Sequence, residues 1–270
     1  MIVQSGNTIV IAGMDGVYEV RRDVNKDAGD GIQFISLYEK PVYLLAKHMD
    51  SSVYGVSDDY LLRWSDIQKP AQILFDFDGI GIREFSVEGI LDMAVQGHDV
   101  WFAGIFPLIR ISLGEQIMIT EYSYDENNSY SFQGRRARNL AIDKNDNLWI
   151  GTSKHGLNLL EKQKNQFRHY HWGMTTDNTL GIDPIRCICK SSSGDLWFSF
   201  DRFGVGVQHP DGEQELFTRF FEKGGSTRDI NRVRSIFQDS EGNIWIGDLE
   251  GLGIYNPTRK RIESVRFKYS

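Results

Sequence analysis

Cysteine is scarce in this 270-residue chain: Cys187 and Cys189 are its only two. At i and i+2 of a strand their side chains point the same way, a poor geometry for bridging each other, so a disulfide-stapled scaffold is excluded. Long apolar runs are also lacking. No stretch approaches the roughly 20 residues of a membrane-spanning helix. The opening Met1-Ile2-Val3-Gln4-Ser5-Gly6 has neither the basic nor the long apolar part of a secretory signal. The chain is therefore expected to be cytoplasmic, or a segment whose targeting sequence lay upstream. Positive charge is in deficit, with a net charge of −7, which argues against nucleic-acid binding by bulk electrostatics. The deficit is uneven: residues 1–135 carry 10 Lys/Arg against 20 Asp/Glu, and residues 136–270 carry 20 against 17. Helical periodicity does not extend beyond a few residues. Catalytic signatures are missing as well: there is no G-x-S-x-G, H-E-x-x-H or G-x-x-x-x-G-K.

What is present is a repeat. Trp101, Trp149, Trp197 and Trp245 are each 48 residues apart. Asn147-Leu148-Trp149-Ile150-Gly151, Asp195-Leu196-Trp197-Phe198-Ser199 and Asn243-Ile244-Trp245-Ile246-Gly247 are one motif written three times, and Asp99-Val100-Trp101-Phe102-Ala103 is a looser fourth copy. A further step of 48 backward reaches Val53, and one of 43 reaches Val10, which makes six units of about 45 residues. Each unit reads as four short strands. In the last they are predicted at Val233–Gln238, Asn243–Gly247, Gly253–Asn256 and Ile262–Tyr269, separated by turn sequences such as Asp239-Ser240-Glu241-Gly242-Asn243. Such units fit an all-β fold, a β-propeller of six four-stranded blades. The blades are placed at 1–40, 41–87, 88–134, 135–183, 184–231 and 232–270 of a single domain or propeller fragment. Six blades can close a ring, or belong to a propeller of seven or eight. A meandering β-sandwich, which needs no such period, is the rival architecture.

The stretch Val233 to Gly247 resembles the two-component regulator propeller repeat, as do Leu140 to Leu157 and Ile185 to Gly206. The resemblance is close over residues 135–270 and loose before them. It implies a periplasmic, ligand-sensing region of a bacterial hybrid histidine kinase, responding to an oligosaccharide or another polar or anionic small ligand. A homodimer of the full receptor is a further expectation, and neither nucleic acid nor membrane contact is expected of this segment. The kinase and membrane span of that family are not part of the sequence read here. The Trp-Ile-Gly strand is also similar to propeller lyases of the streptogramin-inactivating type, the enzymatic alternative. A protein-interaction scaffold is the third reading.

Each conspicuous cluster has an ordinary explanation. A tryptophan recurring once per unit packs between sheets rather than stacking on sugars. Asp143-Lys144-Asn145-Asp146-Asn147 begins like a calcium loop, but Leu148 stands where such a loop needs Gly and Lys154 where it needs Glu, so a strand-joining turn is expected. His169 and His171 are expected on an outer strand facing solvent, and Cys187 and Cys189 on an innermost strand as core thiols. No metal or other cofactor, and no catalytic residue, is assigned. Arginine remains: Arg138, Arg186 and Arg234 are also 48 apart, each just ahead of the apolar part of a first strand. They act either as struts between blades or as a cationic rim. His171, Trp172, Asp177, Lys154, His155, Arg202, Phe203 and Arg228 are expected in loops on the same face. The candidate ligand-binding set is Arg138, Arg186, Arg234, His155, Trp172, Arg202 and Phe203.

Overall fold

The structure, a computed structural model, describes residues 2–5, 8–23, 31–82, 85–134, 136–164, 166–170 and 184–265. It is all-β, and its strands form six sheets. The first sheet contains β1 (Ile2–Ser5), β2 (Thr8–Gly13), β3 (Gly16–Asp23) and β4 (Gly31–Tyr38). The second contains β5 (Leu44–Lys47), β6 (Val53–Val56), β7 (Tyr60–Trp64) and β8 (Gln72–Asp76). The third contains β9 (Ile90–Gln96), β10 (Asp99–Gly104), β11 (Leu108–Leu113) and β12 (Ile117–Tyr122). The fourth contains β13 (Ala137–Ile142), β14 (Leu148–Thr152), β15 (Leu157–Glu161) and β16 (Gln166–Tyr170). The fifth contains β17 (Ile185–Lys190), β18 (Leu196–Phe200), β19 (Val205–Gln208) and β20 (Gln214–Phe217). The sixth contains β21 (Arg219–Phe221), β22 (Thr227–Asp229), β23 (Ser235–Gln238), β24 (Ile244–Gly247), β25 (Leu252–Asn256) and β26 (Arg261–Val265). Sequential strands pair antiparallel, the meander of a propeller blade. Among the described residues no helix is long and apolar enough to cross a membrane.

The chain divides into two compact units, Met1–Glu121 and Tyr122–Ser270. In the first unit, Val10 and Val17 of the first sheet pack on Leu45, Val53, Leu62 and Trp64 of the second. The opposite face of the second sheet sets Tyr54, Val56 and Leu61 against Val95, Phe102, Ile109 and Ile111 of the third. In the second unit, Trp149 and Leu157 meet Ile185, Leu196 and Phe198. The far face of the fifth sheet sets Trp197, Val205 and Val207 against Ile236, Ile244, Ile246 and Ile262 of the sixth. Both faces of such a sheet are apolar, so each is stable only when covered.

The pairing register corrects one step of the repeat. In the third sheet Trp101 lies between Ala94 and Arg110, and in the second it is Tyr54, between Ala46 and Arg63, that holds that place. Arg110 and Arg63 each lie over the matching ring, at 5.5 and 5.7 Å. Val53, reached by counting back 48 residues, points to the other face. Adjacent positions of a strand face opposite ways, so a one-residue change of loop length moves the equivalence to its neighbour.

A carboxylate and the indole nitrogen define the first hairpin of a blade. Asp143 accepts from the backbone N–H of Asn145 and Asn147, from the Asn147 amide, and from Trp149 Nε1 at 3.1 Å. Asp239 repeats this with Glu241, Asn243 and Trp245, whose Nε1 donates at 2.7 Å. The calcium-like string is thus a turn whose carboxylate is occupied by its own donors. In the fifth sheet Ser191 replaces the aspartate, and buried Trp197 Nε1 has no partner among the described residues. The turn also requires positive φ: Asp146, Gly194 and Gly242 occupy the same position with φ of 61, 96 and 88°. Trp101 and Trp197 are 1% and 3% exposed, whereas Trp149 and Trp245 are half-buried. Trp197 bridges sheets, with its ring 4.9 Å from Tyr255.

The sequence boundary at 231/232 does not match the hydrogen bonding. Strands β21 and β22 lie within the stretch assigned to the fifth unit, yet β21 pairs parallel with β26 and extends the sixth sheet to six strands. Arg228 holds this hairpin down through a two-pronged ion pair with the fully buried Asp248, at 2.5 and 3.0 Å, and lies 4.2 Å over Phe220. Phe220 rests on Gly253, where a β-carbon would come within 2.0 Å of its ring. The last sheet also begins later than predicted, at Ser235 rather than Val233.

Two outcomes test this packing. Trp197→Ala is expected to cost about 3–5 kcal/mol in denaturant unfolding, the usual range for a large buried aromatic; a loss below about 1 kcal/mol would contradict the inter-sheet role. Asp239, held at about 2 against an ordinary 3.8 chiefly by the Trp245 and Asn243 hydrogen bonds, stabilises the fold when ionised. Its folded-state pKa is lowered, so its contribution is full above about pH 4 and is lost as the pH falls towards 2. The melting-temperature deficit of Asp239→Ala should therefore be largest near neutrality and shrink across that window.

Candidate arginine-lined binding face

Two of the periodic arginines sit on β-bulges, and the third stands just ahead of its strand. In the fourth sheet Ala137 pairs with Thr152 and Asn139 with Gly151, which leaves Arg138 as the extra residue. In the fifth, Ile185 pairs with Phe200 and Cys187 with Ser199, which leaves Arg186. In the sixth, Gly247 faces Ser235 and also accepts from Arg234 N at 2.7 Å. A bulge re-aims the side chain of its extra residue out of the regular alternation. The third sheet has the same register shift, but there Leu91 is the bulged residue. Small residues stand opposite: at Gly151 a β-carbon would lie 2.7 Å from Ile185 of the next sheet.

In the strand order of an antiparallel blade, the start of the first strand and the end of the second lie at one end of the sheet. The arginines therefore meet the loops that leave β14 and β18. Arg138 Nε donates to Ser153 Oγ at 3.1 Å, and Arg186 Nε donates to Asp201. Each partner lies 15 residues beyond its arginine. The Arg186–Asp201 pair is about one-fifth exposed on both sides.

Electrostatics tie the three blades together. Burial pushes the Arg138 guanidinium down from its ordinary pKa, and the cations of Arg186, Arg136 and Arg234 add to this while Asp201 opposes it. Asp201 is held below the usual carboxylate range by its hydrogen bond from Arg186, with Arg232 and Arg234 contributing. Four arginines, Arg138, Arg186, Arg232 and Arg234, are thus coupled to one carboxylate. Arg232 reaches this cluster from a backbone φ of 49°, unusual for a residue with a side chain.

The structure brings together Arg138, Arg186 and Arg234 of the candidate set. His155 and Phe203 are exposed in the loops after β14 and β18, at the same end of their sheets, and Arg202 and Lys154 are exposed beside them. His155 is positioned by its backbone N–H, which donates to Thr152 Oγ1 at 2.8 Å. His171, Trp172 and Asp177 lie outside the described residues. Arg228 is not a rim residue, because its guanidinium is committed to buried Asp248. Arg136, Arg232 and Asp201 were not singled out by sequence. Only Asp201 had a readable signal, the 15-residue offset shared with Ser153. His169 on β16 is half-buried, with Nδ1 2.8 Å from Asn158 Oδ1. Cys187 is a buried thiol 3.0 Å from Ser199 Oγ, and burial pushes it up to about 11. Among the described residues no three His, Cys, Asp or Glu side chains are grouped to hold a metal.

Two segments of this face, residues 131–154 and 228–249, match the family described as the two component regulator propeller. In those two segments the chain is similar to that repeat family. Each matched segment contains one of the periodic arginines, Arg138 on its bulge in one and Arg234 in the other. The repeats share their fold with the extracellular domain of a hybrid two component system from B. thetaiotaomicron, at 17% identity and a TM-score of 0.64. The alignment covers 98% of this chain and 33% of that one, so the chain spans about a third of its length. PorZ, a surface component of the type-IX secretion system of Porphyromonas gingivalis, matches at 15% identity and a TM-score of 0.64, covering 97% of this chain and 39% of its own. Virginiamycin B lyase from Staphylococcus aureus matches at 13% identity and a TM-score of 0.64, covering 100% and 84%. At these identities the likeness is one of fold. No curated protein sequence matches.

Asp201→Ala should leave the arginines mutually repulsive. Its melting temperature is expected to fall at low ionic strength and to recover as salt rises from about 0.01 to 0.5 M, where the Debye length contracts from ~30 Å to a few ångströms. A salt-independent deficit would mean that the pair acts through packing alone.

Proposed function

We propose that this chain is a ligand-sensing propeller module of a bacterial two-component signalling receptor, acting outside the cytoplasm. Its ligand is polar or anionic, of the oligosaccharide class, and binds across the bulged ends of the fourth to sixth sheets. The repeat family supports the signalling context. The observation that carries the ligand reading is the convergence of Arg138, Arg186 and Arg234, at equivalent places in the repeat, around Asp201. Packing does not require cations there, since Leu91 holds the same position in the third sheet. Forked guanidinium groups suit carboxylate and sulfate oxygens, and exposed Phe203 and His155 add flat surfaces at the margin. In this reading the chain binds without turnover.

The test is the double variant Arg186→Ala/Arg234→Ala, titrated calorimetrically with a sulfated oligosaccharide and with its unsulfated counterpart. Wild type should bind the sulfated form, and the variant should lose at least about tenfold in affinity, ~1.4 kcal/mol. Unchanged affinity accompanied by a large loss of thermal stability would reduce these arginines to struts.

A further inference from the structure

The opposite end of the fourth and fifth sheets holds a second constellation, in a cleft of about 340 Å³ between the β13–β14 and β17–β18 turns. Two aromatic rings form its inner part. Trp149 is oriented by its Nε1 bond to Asp143, and Tyr170 lies 5.2 Å from it. Lys144 and Lys190 line the same cleft, as does His209. The acids nearby are already committed. Asp143 is saturated by the donors of its own turn. Asp195 accepts from Ser193 at 2.6 Å and lies 2.8 Å from His209 Nδ1, whose other nitrogen is 3.5 Å from Glu215.

The charge of Asp143 acts on Lys190, yet among the described residues neither Lys144 nor Lys190 forms an ion pair within 4 Å. Lys190 is half-buried, and burial lowers its pKa; the charge of Asp143 opposes this, and the smaller effect of Lys144 adds to it. A half-buried cation beside a second cation is relieved by an anion from outside. The rings next to it offer an apolar, C–H-accepting surface.

We propose that this cleft is a second binding site, for a small organic carboxylate of monosaccharide size, with the carboxylate between Lys144 and Lys190 and the body of the ligand against Trp149 and Tyr170. The volume suits one such unit and not a chain of them. The site is separate from the arginine face and does not depend on it. The two use opposite ends of the same strands.

The probe is D-glucuronate, compared with D-glucose and acetate up to about 50 mM, well into the range of weak millimolar binding. The readout is the indole N–H resonance of Trp149, assigned through Trp149→Phe. Glucuronate should shift that resonance saturably, whereas glucose and acetate, each lacking one half of the recognition, should shift it at least about tenfold more weakly. Lys144→Gln/Lys190→Gln should weaken glucuronate at least about tenfold with an unchanged melting temperature. Lys144→Gln alone, at an exposed position, should weaken it in the same direction. Arg186→Ala/Arg234→Ala should leave the titration as in wild type, which separates this site from the other. A response that is non-saturable, equal for glucose, or unaltered by both lysine variants overturns the proposal.

Discussion

A four-stranded sheet with apolar side chains on both faces cannot persist in water unless another sheet covers each face. The fifth sheet shows this constraint directly, with Leu196, Phe198 and Phe200 buried against one neighbour and Trp197, Val205 and Val207 against the other. The remaining organisation follows from it. Faces are consumed by packing, so only strand ends and their loops are free to vary. Binding chemistry is therefore confined to two rims, and a residue recurring in one place in every blade recurs around a rim.

The two rims are built by different devices. At one, the hairpin turn is tied by a side-chain acceptor: Asp143 and Asp239 gather turn N–H groups and an indole, which fixes both the turn and the tryptophan. Their carboxylates are thereby withdrawn from ligands, and Lys144 and Lys190 become the outward chemistry. At the other rim a bulge ends the regular ladder. The extra residue stands out of the alternation, opposite a small partner such as Gly151, Ser199 or Gly247. A long cationic side chain is accommodated there without disturbing the packed faces.

The neighbours in fold space span a sensor ectodomain, a secretion component and a lyase, as expected of an architecture whose function resides in its rims. The proposed binding of anionic groups rests on the arginine cluster and not on the blade fold. Arg228 is the counterexample within it. Although it was expected in a loop on the same face, it lies on β22, locked to Asp248 and stacked on Phe220, and it serves the sheet.

The sequence by itself determined the period, the four-strand unit, the packing role of Trp197 and the equivalence of Arg138, Arg186 and Arg234. All of these are local or strictly repeated, so spacing and alternation are enough to expose them. Tertiary structure alone decided that Tyr54 and not Val53 takes the tryptophan position, since register depends on loop lengths that counting cannot see. It also decided that residues 219–229 join the sixth sheet, because parallel pairing with β26 is a contact between segments far apart in sequence. The action of Arg232 on Asp201 was likewise hidden, for the two come from different blades and meet only where adjacent blades bring their ends together.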